Sequence, residues 1–132
     1  LMSALTKRRW LVNMQAKALR LPPHMQSAFT ENLQAMSMQT YRRIAEEAVQ
    51  FRVPPSLRHV NTPTLITAGG SESKIITQAV SAISKMMPDA QGCLAPGLGH
   101  GWTLEAPDLF NAMVCAWITG APLPQGLQAA SA

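Results

Sequence analysis

The residues best suited to chemistry cluster in Pro96-Gly97-Leu98-Gly99-His100-Gly101-Trp102. Histidine takes and gives protons near neutral pH. Glycine on both sides permits a tight turn and close backbone approach. A side chain placed just after a short apolar strand faces solvent at the strand end, where open α/β sheets carry their reactive groups. A surface turn that merely contains a histidine has the same composition. Trp102 either lines a pocket beside His100 or covers the turn, since tryptophan does both. His24, His59 and His100 share no metal-ligand spacing, and Cys93 and Cys115 stand 22 positions apart, so neither a metal nor a cofactor is expected.

The elements that position such a turn must come from a small chain. At 132 residues the sequence holds at most one domain. Hydrophobic residues make up 47% and charged residues 14%, a balance that suits a packed protein and argues against disorder. No apolar run approaches the roughly 18 residues a membrane span needs. Lys7-Arg8-Arg9 is not followed by a clean apolar stretch, so no signal peptide is read and a cytoplasmic location is expected. Cys93 and Cys115 lie in apolar surroundings and read as reduced core residues. The net charge of +4 divides into +6 over residues 1–60 and −2 over residues 61–132. A basic helical half could bind nucleic acid, but solvated helix faces account for the charge more simply.

Residues 3–20 read as a helix, with Leu11, Met14 and Ala18 on one face and Trp10 beside it as a core candidate, ended by Pro22-Pro23. Met25, Phe29, Leu33 and Met36 form the stripe of a second helix over 24–36. Ser37 caps a third, whose stripe is Tyr41, Ile44, Ala45, Ala48 and Val49, and Pro54-Pro55 stops it. The pattern then changes. Thr64-Leu65-Ile66-Thr67-Ala68 reads as a buried strand running into Gly69-Gly70. A helix over 74–87 follows, then a short strand over 91–95, the His100 turn, and a helix opened by Pro107 and closed by Gly120. Trp117 is a core candidate of that last helix. Strand, helix, strand, helix implies two neighbouring parallel strands. Two short strands do not make a sheet that stands alone. The lone chain is therefore expected to be incomplete, its strand edge pairing with a missing N-terminal half or with a second copy.

From about Ser37 onward the sequence resembles the C-terminal half of an α/β-hydrolase fold protein. The resemblance rests on Pro63-Thr64-Leu65-Ile66-Thr67-Ala68-Gly69, the loop Gly70-Ser71-Glu72-Ser73, the Pro96–Trp102 turn and Glu105-Ala106-Pro107-Asp108-Leu109-Phe110. In that family the penultimate strand ends in a loop bearing the triad acid, and the last strand runs into a Pro-Gly-x-Gly-His turn bearing the triad histidine. The resemblance thus implies His100 as general base and Glu72, 28 residues earlier, as its acid. It also implies that the N-terminal helices correspond to an inserted cap. The sequence departs from the family in two ways. Glu stands where Asp is commoner, and no Gly-x-Ser-x-Gly elbow or oxyanion-hole loop precedes residue 60. Gly69-Gly70-Ser71-Glu72-Ser73 falls one residue short of such an elbow. With Ser71 as nucleophile the next acid would be Asp89, 11 residues before His100 at a helix stop, so Glu72 as acid is preferred, with Ser71 or Ser73 as a helix cap.

The expected fold is α/β: a helical cap-like segment over 1–58, a β-α-β-α unit over 59–120 and a flexible tail over 121–132. The expected function is that of a hydrolase fragment acting on a small ester-like substrate, with His100 and Glu72 as catalytic residues, Trp102 at the substrate pocket and the nucleophile supplied from elsewhere. The competing expectations are an inactive oligomeric interaction module and, third, a basic nucleic-acid-binding protein.

Overall fold

The computed structural model describes residues 8–130. The chain divides into two compact units, with the boundary between Arg52 and Val53. The expected boundary at residue 58 moves because the Pro54-Pro55 stop opens a short 3-10 turn, Pro55–His59, that belongs to the second unit.

The first unit holds α1 (Arg9–Ala18), α2 (Pro23–Ala35) and α3 (Met38–Gln50). The part of the first helix expected over 3–7 lies outside the described residues. Val12 and Ala16 are buried where α1 packs on α2. Buried Thr30 places its hydroxyl 3.0 Å from Asn13 Oδ1 and 2.8 Å from the Gln26 carbonyl, so this polar group is satisfied. α1 ends with Arg20 in the left-handed region at φ 53°, while the Leu21 N–H reaches back to the Ala16 carbonyl at 3.1 Å. Pro23 opens α2, where its missing N–H costs nothing. The Ser37 hydroxyl accepts the Thr40 N–H at 3.0 Å and caps α3, as expected. Two expectations are corrected. Trp10 is exposed rather than in a core, and no residue of α3 is buried, so Ile44 and Val49 lie open to solvent.

The second unit carries the sheet. β1 (Thr64–Gly69) pairs in parallel with β2 (Ala90–Ala95), and α4 (Lys74–Met86) makes the crossover between them. Alternation along β2 sends successive residues to opposite faces. On one face Gly92 lies against Val80 and Ser84 of α4, so close that a Cβ would meet Ser84 Oγ at 2.8 Å. On the other, Cys93 and Ala95 join Trp102 and Met113 in the buried core, beneath α5 (Trp102–Glu105) and α6 (Pro107–Thr119). The architecture is therefore α/β, a small mixed sheet with helices on both faces.

The tail expectation is corrected over 121–130. Leu123 and Leu127 pack on the core, and β3 (Gln128–Ala129) pairs antiparallel with Leu94 and Cys93. The Ala130 N–H bonds the Gly92 carbonyl at 2.9 Å. Residues 131–132 lie outside the described residues. The sheet order is β1-β2-β3, so β3 occupies the outer edge of β2 while the other edge of β1 is open among the described residues. Cys115 is exposed on α6 and so is corrected from a core residue, whereas Cys93 is buried.

Candidate active site

Two loops leave the carboxyl ends of the parallel strands, and the sequence makes them fit each other. After β2, Ala95-Pro96-Gly97-Leu98 turns with Pro second, Gly97 third at φ +74°, and the Leu98 N–H on the Ala95 carbonyl at 3.3 Å. Proline presets φ at the second position of a type II turn, and glycine supplies the positive φ it needs at the third. At the end of β1, Gly69 meets the His100 turn directly. A Cβ there would sit 2.1 Å from the Gly99 carbonyl oxygen. Glycine at 69 is therefore a condition for the two loops to touch. Backbone bonds then join them: Gly70 N–H to the Ala95 carbonyl at 2.7 Å, and Ser71 N–H to the Leu98 carbonyl at 2.9 Å.

This stitching brings Glu72 and His100 together. The imidazole Nδ1–H donates to Glu72 Oε1 at 2.5 Å. The Glu72 side chain is 15% exposed and that of His100 is 62% exposed. The carboxylate is thus sheltered behind the ring while the ring faces solvent. A carboxylate on Nδ1 fixes the tautomer whose Nε2 lone pair can accept a proton. Nε2 meets no hydrogen-bond partner among the described residues. The Ser71 hydroxyl makes no hydrogen bond to the imidazole among the described residues, and Ser73, although it stands at the N-cap of α4, caps it with no side-chain bond.

Trp102 is corrected from its place at a substrate pocket. The indole is 3% exposed and meets Phe110 edge to face, with ring centroids 5.7 Å apart and planes at 77°. Apolar burial and the aromatic contact commit it to the core. From there it anchors α5, whose last residue, Glu105, accepts the Gly99 N–H at 2.8 Å through Oε1. Sequence reasoning gave Glu105 no part in the site. A carboxylate reaching back over one helical turn is a local signal resembling a capping box, but here it bridges six positions. His24 is exposed, and His59 accepts from Arg58 Nε at 3.2 Å, so neither shares the site. Among the described residues no group of three or more His, Cys, Asp or Glu could hold a metal ion, and no helix is long and apolar enough to cross a membrane.

The acid–imidazole pair lies at the carboxyl ends of the parallel strands of an α/β sheet, the end at which open α/β sheets bind their ligands. A protein of Caulobacter sp. (strain K31), described as "Putative carbamate hydrolase RutD", is 28% identical to the chain over 72 residues. The match takes in 54% of this chain and 27% of that relative, so the chain spans about a quarter of the relative's length. The similarity supports a hydrolase-like relation. No family model matches the chain, and no solved structure gives a significant match.

Proposed function

We propose that the chain is the histidine-and-acid part of an α/β-fold hydrolase acting on an ester, carbamate or related acyl bond. One observation carries the reading: Glu72 on His100 Nδ1 at 2.5 Å, on an imidazole that is 62% exposed. His100 is the general base and Glu72 the acid that orients it. The 132 residues contain no Gly-x-Ser-x-Gly elbow, so the nucleophile and the oxyanion donors come from other polypeptide, as a longer chain or a second subunit. That polypeptide pairs with the open edge of β1. The helices of the first unit serve as the cap.

In the reaction the nucleophile's oxygen bonds to the substrate carbonyl carbon while its proton passes to His100 Nε2. Glu72 holds the ring and stabilises the imidazolium. His100 then returns the proton to the leaving oxygen or nitrogen as its bond to carbon breaks, and water repeats the cycle to release the acid. The relative's description favours a carbamate among the possible acyl bonds.

The test uses the product of the full reading frame that encodes this sequence, assayed on a p-nitrophenyl ester and an aryl carbamate. His100→Ala is expected to lower kcat/KM by about 10⁴-fold, and Glu72→Gln by about 10²- to 10⁴-fold. Hydrolysis that survives His100→Ala overturns the reading.

A further inference from the structure

The geometry points to Glu105 as the residue that positions the His100 turn. Gly99, the residue before His100, is buried and is gripped from two sides. Its carbonyl lies against Gly69, and the carbonyl before it, that of Leu98, accepts the Ser71 N–H at 2.9 Å. Those contacts tie the turn to the Glu72 loop. On the opposite side the Gly99 N–H donates to Glu105 Oε1 at 2.8 Å. Side chains on a helix lean toward its N-terminus, so the last residue of α5 is aimed back at the turn that precedes it. α5 itself is held by buried Trp102 and by the bonds from Leu104 N–H and Glu105 N–H to the Gly101 carbonyl, at 2.8 and 3.0 Å.

Without the carboxylate, a buried N–H loses an anionic acceptor, the stronger kind of hydrogen-bond partner. The turn is then free to tilt on its Gly97 and Gly101 flanks, and the imidazole moves off the axis between Glu72 and its reacting partner. Glu105 acts through Gly99 and His100 and touches no reacting atom. This role rests on the proposed function only where it concerns rate. The positioning of His100 on Glu72 stands without it.

The test compares two variants matched in size, Glu105→Gln, which keeps an oxygen acceptor, and Glu105→Met, which has none. NMR of the 132-residue chain follows two signals, the exchange rate of the Gly99 amide and the His100 Nδ1 proton. Met is expected to speed Gly99 exchange by about tenfold or more and to weaken or abolish the Nδ1 proton signal, whereas Gln leaves both near wild type. In the product of the full reading frame, Met is expected to lower kcat by about 10- to 100-fold with KM little changed, and Gln to restore most of the rate. Unchanged Gly99 exchange and an unchanged Nδ1 proton in a folded Met variant overturn the inference. So does a Gln variant with fast Gly99 exchange and no Nδ1 proton signal, an outcome that also decides the matter if the Met variant does not fold. Glu105-dependent NMR signals in a protein that hydrolyses neither substrate support the positioning role and overturn the proposed function alone.

Discussion

A methyl group on Gly69 has nowhere to go, because the atoms it would strike at 2.1 and 2.5 Å are the backbone oxygens of Gly99 and Leu98. Gly69→Ala is expected to cost about 3 kcal/mol in urea denaturation, at the upper end of overpacking effects. Gly97→Ala meets open space, and only its φ of +74° opposes the side chain, so it is expected to cost about 1–2 kcal/mol. Burial raises the Cys93 thiol above its ordinary pKa, while Cys115 is exposed. A thiol reagent is therefore expected to label one cysteine in the folded chain, Cys115, and both after unfolding. The raised pKa also has a sign. Below the ordinary thiol range both states keep the proton, and above it the unfolded chain sheds its proton first. The Cys93 contribution to stability is therefore lost as pH rises from the ordinary thiol range through the raised value, and a pH series of melts checks it. At this scale the resemblance placed His100 and Glu72 side by side from one turn and one loop. It could not place Glu105, whose partner is a backbone N–H that no residue type announces. Trp102 was undecidable because an indole serves a pocket wall and a core equally well.

The elements divide by how local their causes are. Thr64–Gly69 was legible because β-branched and apolar residues run between Pro63 and a glycine pair, and α4 because its apolar positions recur at helical spacing. β3 was not, because Gln128-Ala129 has no strand propensity and exists only through its pairing with Leu94 and Cys93. α3 shows the reverse case. Its stripe was read correctly as a helix, yet none of its residues is fully buried and only Met38 and Tyr41 are half-buried. Its stability is therefore local, and Ser37→Ala is expected to remove about 1 kcal/mol of helix stability, seen as lost helical circular dichroism. Ile44→Ala is expected to stay within about 0.5 kcal/mol of wild type in the same experiment, because an exposed side chain leaves no cavity. Gly120 ends α6 at φ 68°, with the Ala121 N–H on the Ala116 carbonyl at 2.9 Å. Gly120→Ala is expected to cost about 1 kcal/mol in urea denaturation, through backbone strain alone.

For the molecule as a whole, the pattern changes from helical to strand near residue 60, whereas the two compact units divide between Arg52 and Val53. The order of the sheet was half legible. Two parallel strands with an unfilled edge followed from the β-α-β-α sequence, but the strand on the far side of β2 did not. That strand has a bearing on how copies of the chain can meet. A sheet with two bare edges is a template that extends without limit, each addition exposing the next. Here the two edges are unequal among the described residues: β1 offers six residues of edge, while β3 on the far side is only two residues long. Edge-to-edge association is then self-limiting: two copies joined through β1 leave at each end only the two-residue edge of β3, too short to template a third. Sedimentation of the concentrated chain is accordingly expected to stop at pairs, with no fibrous polymer.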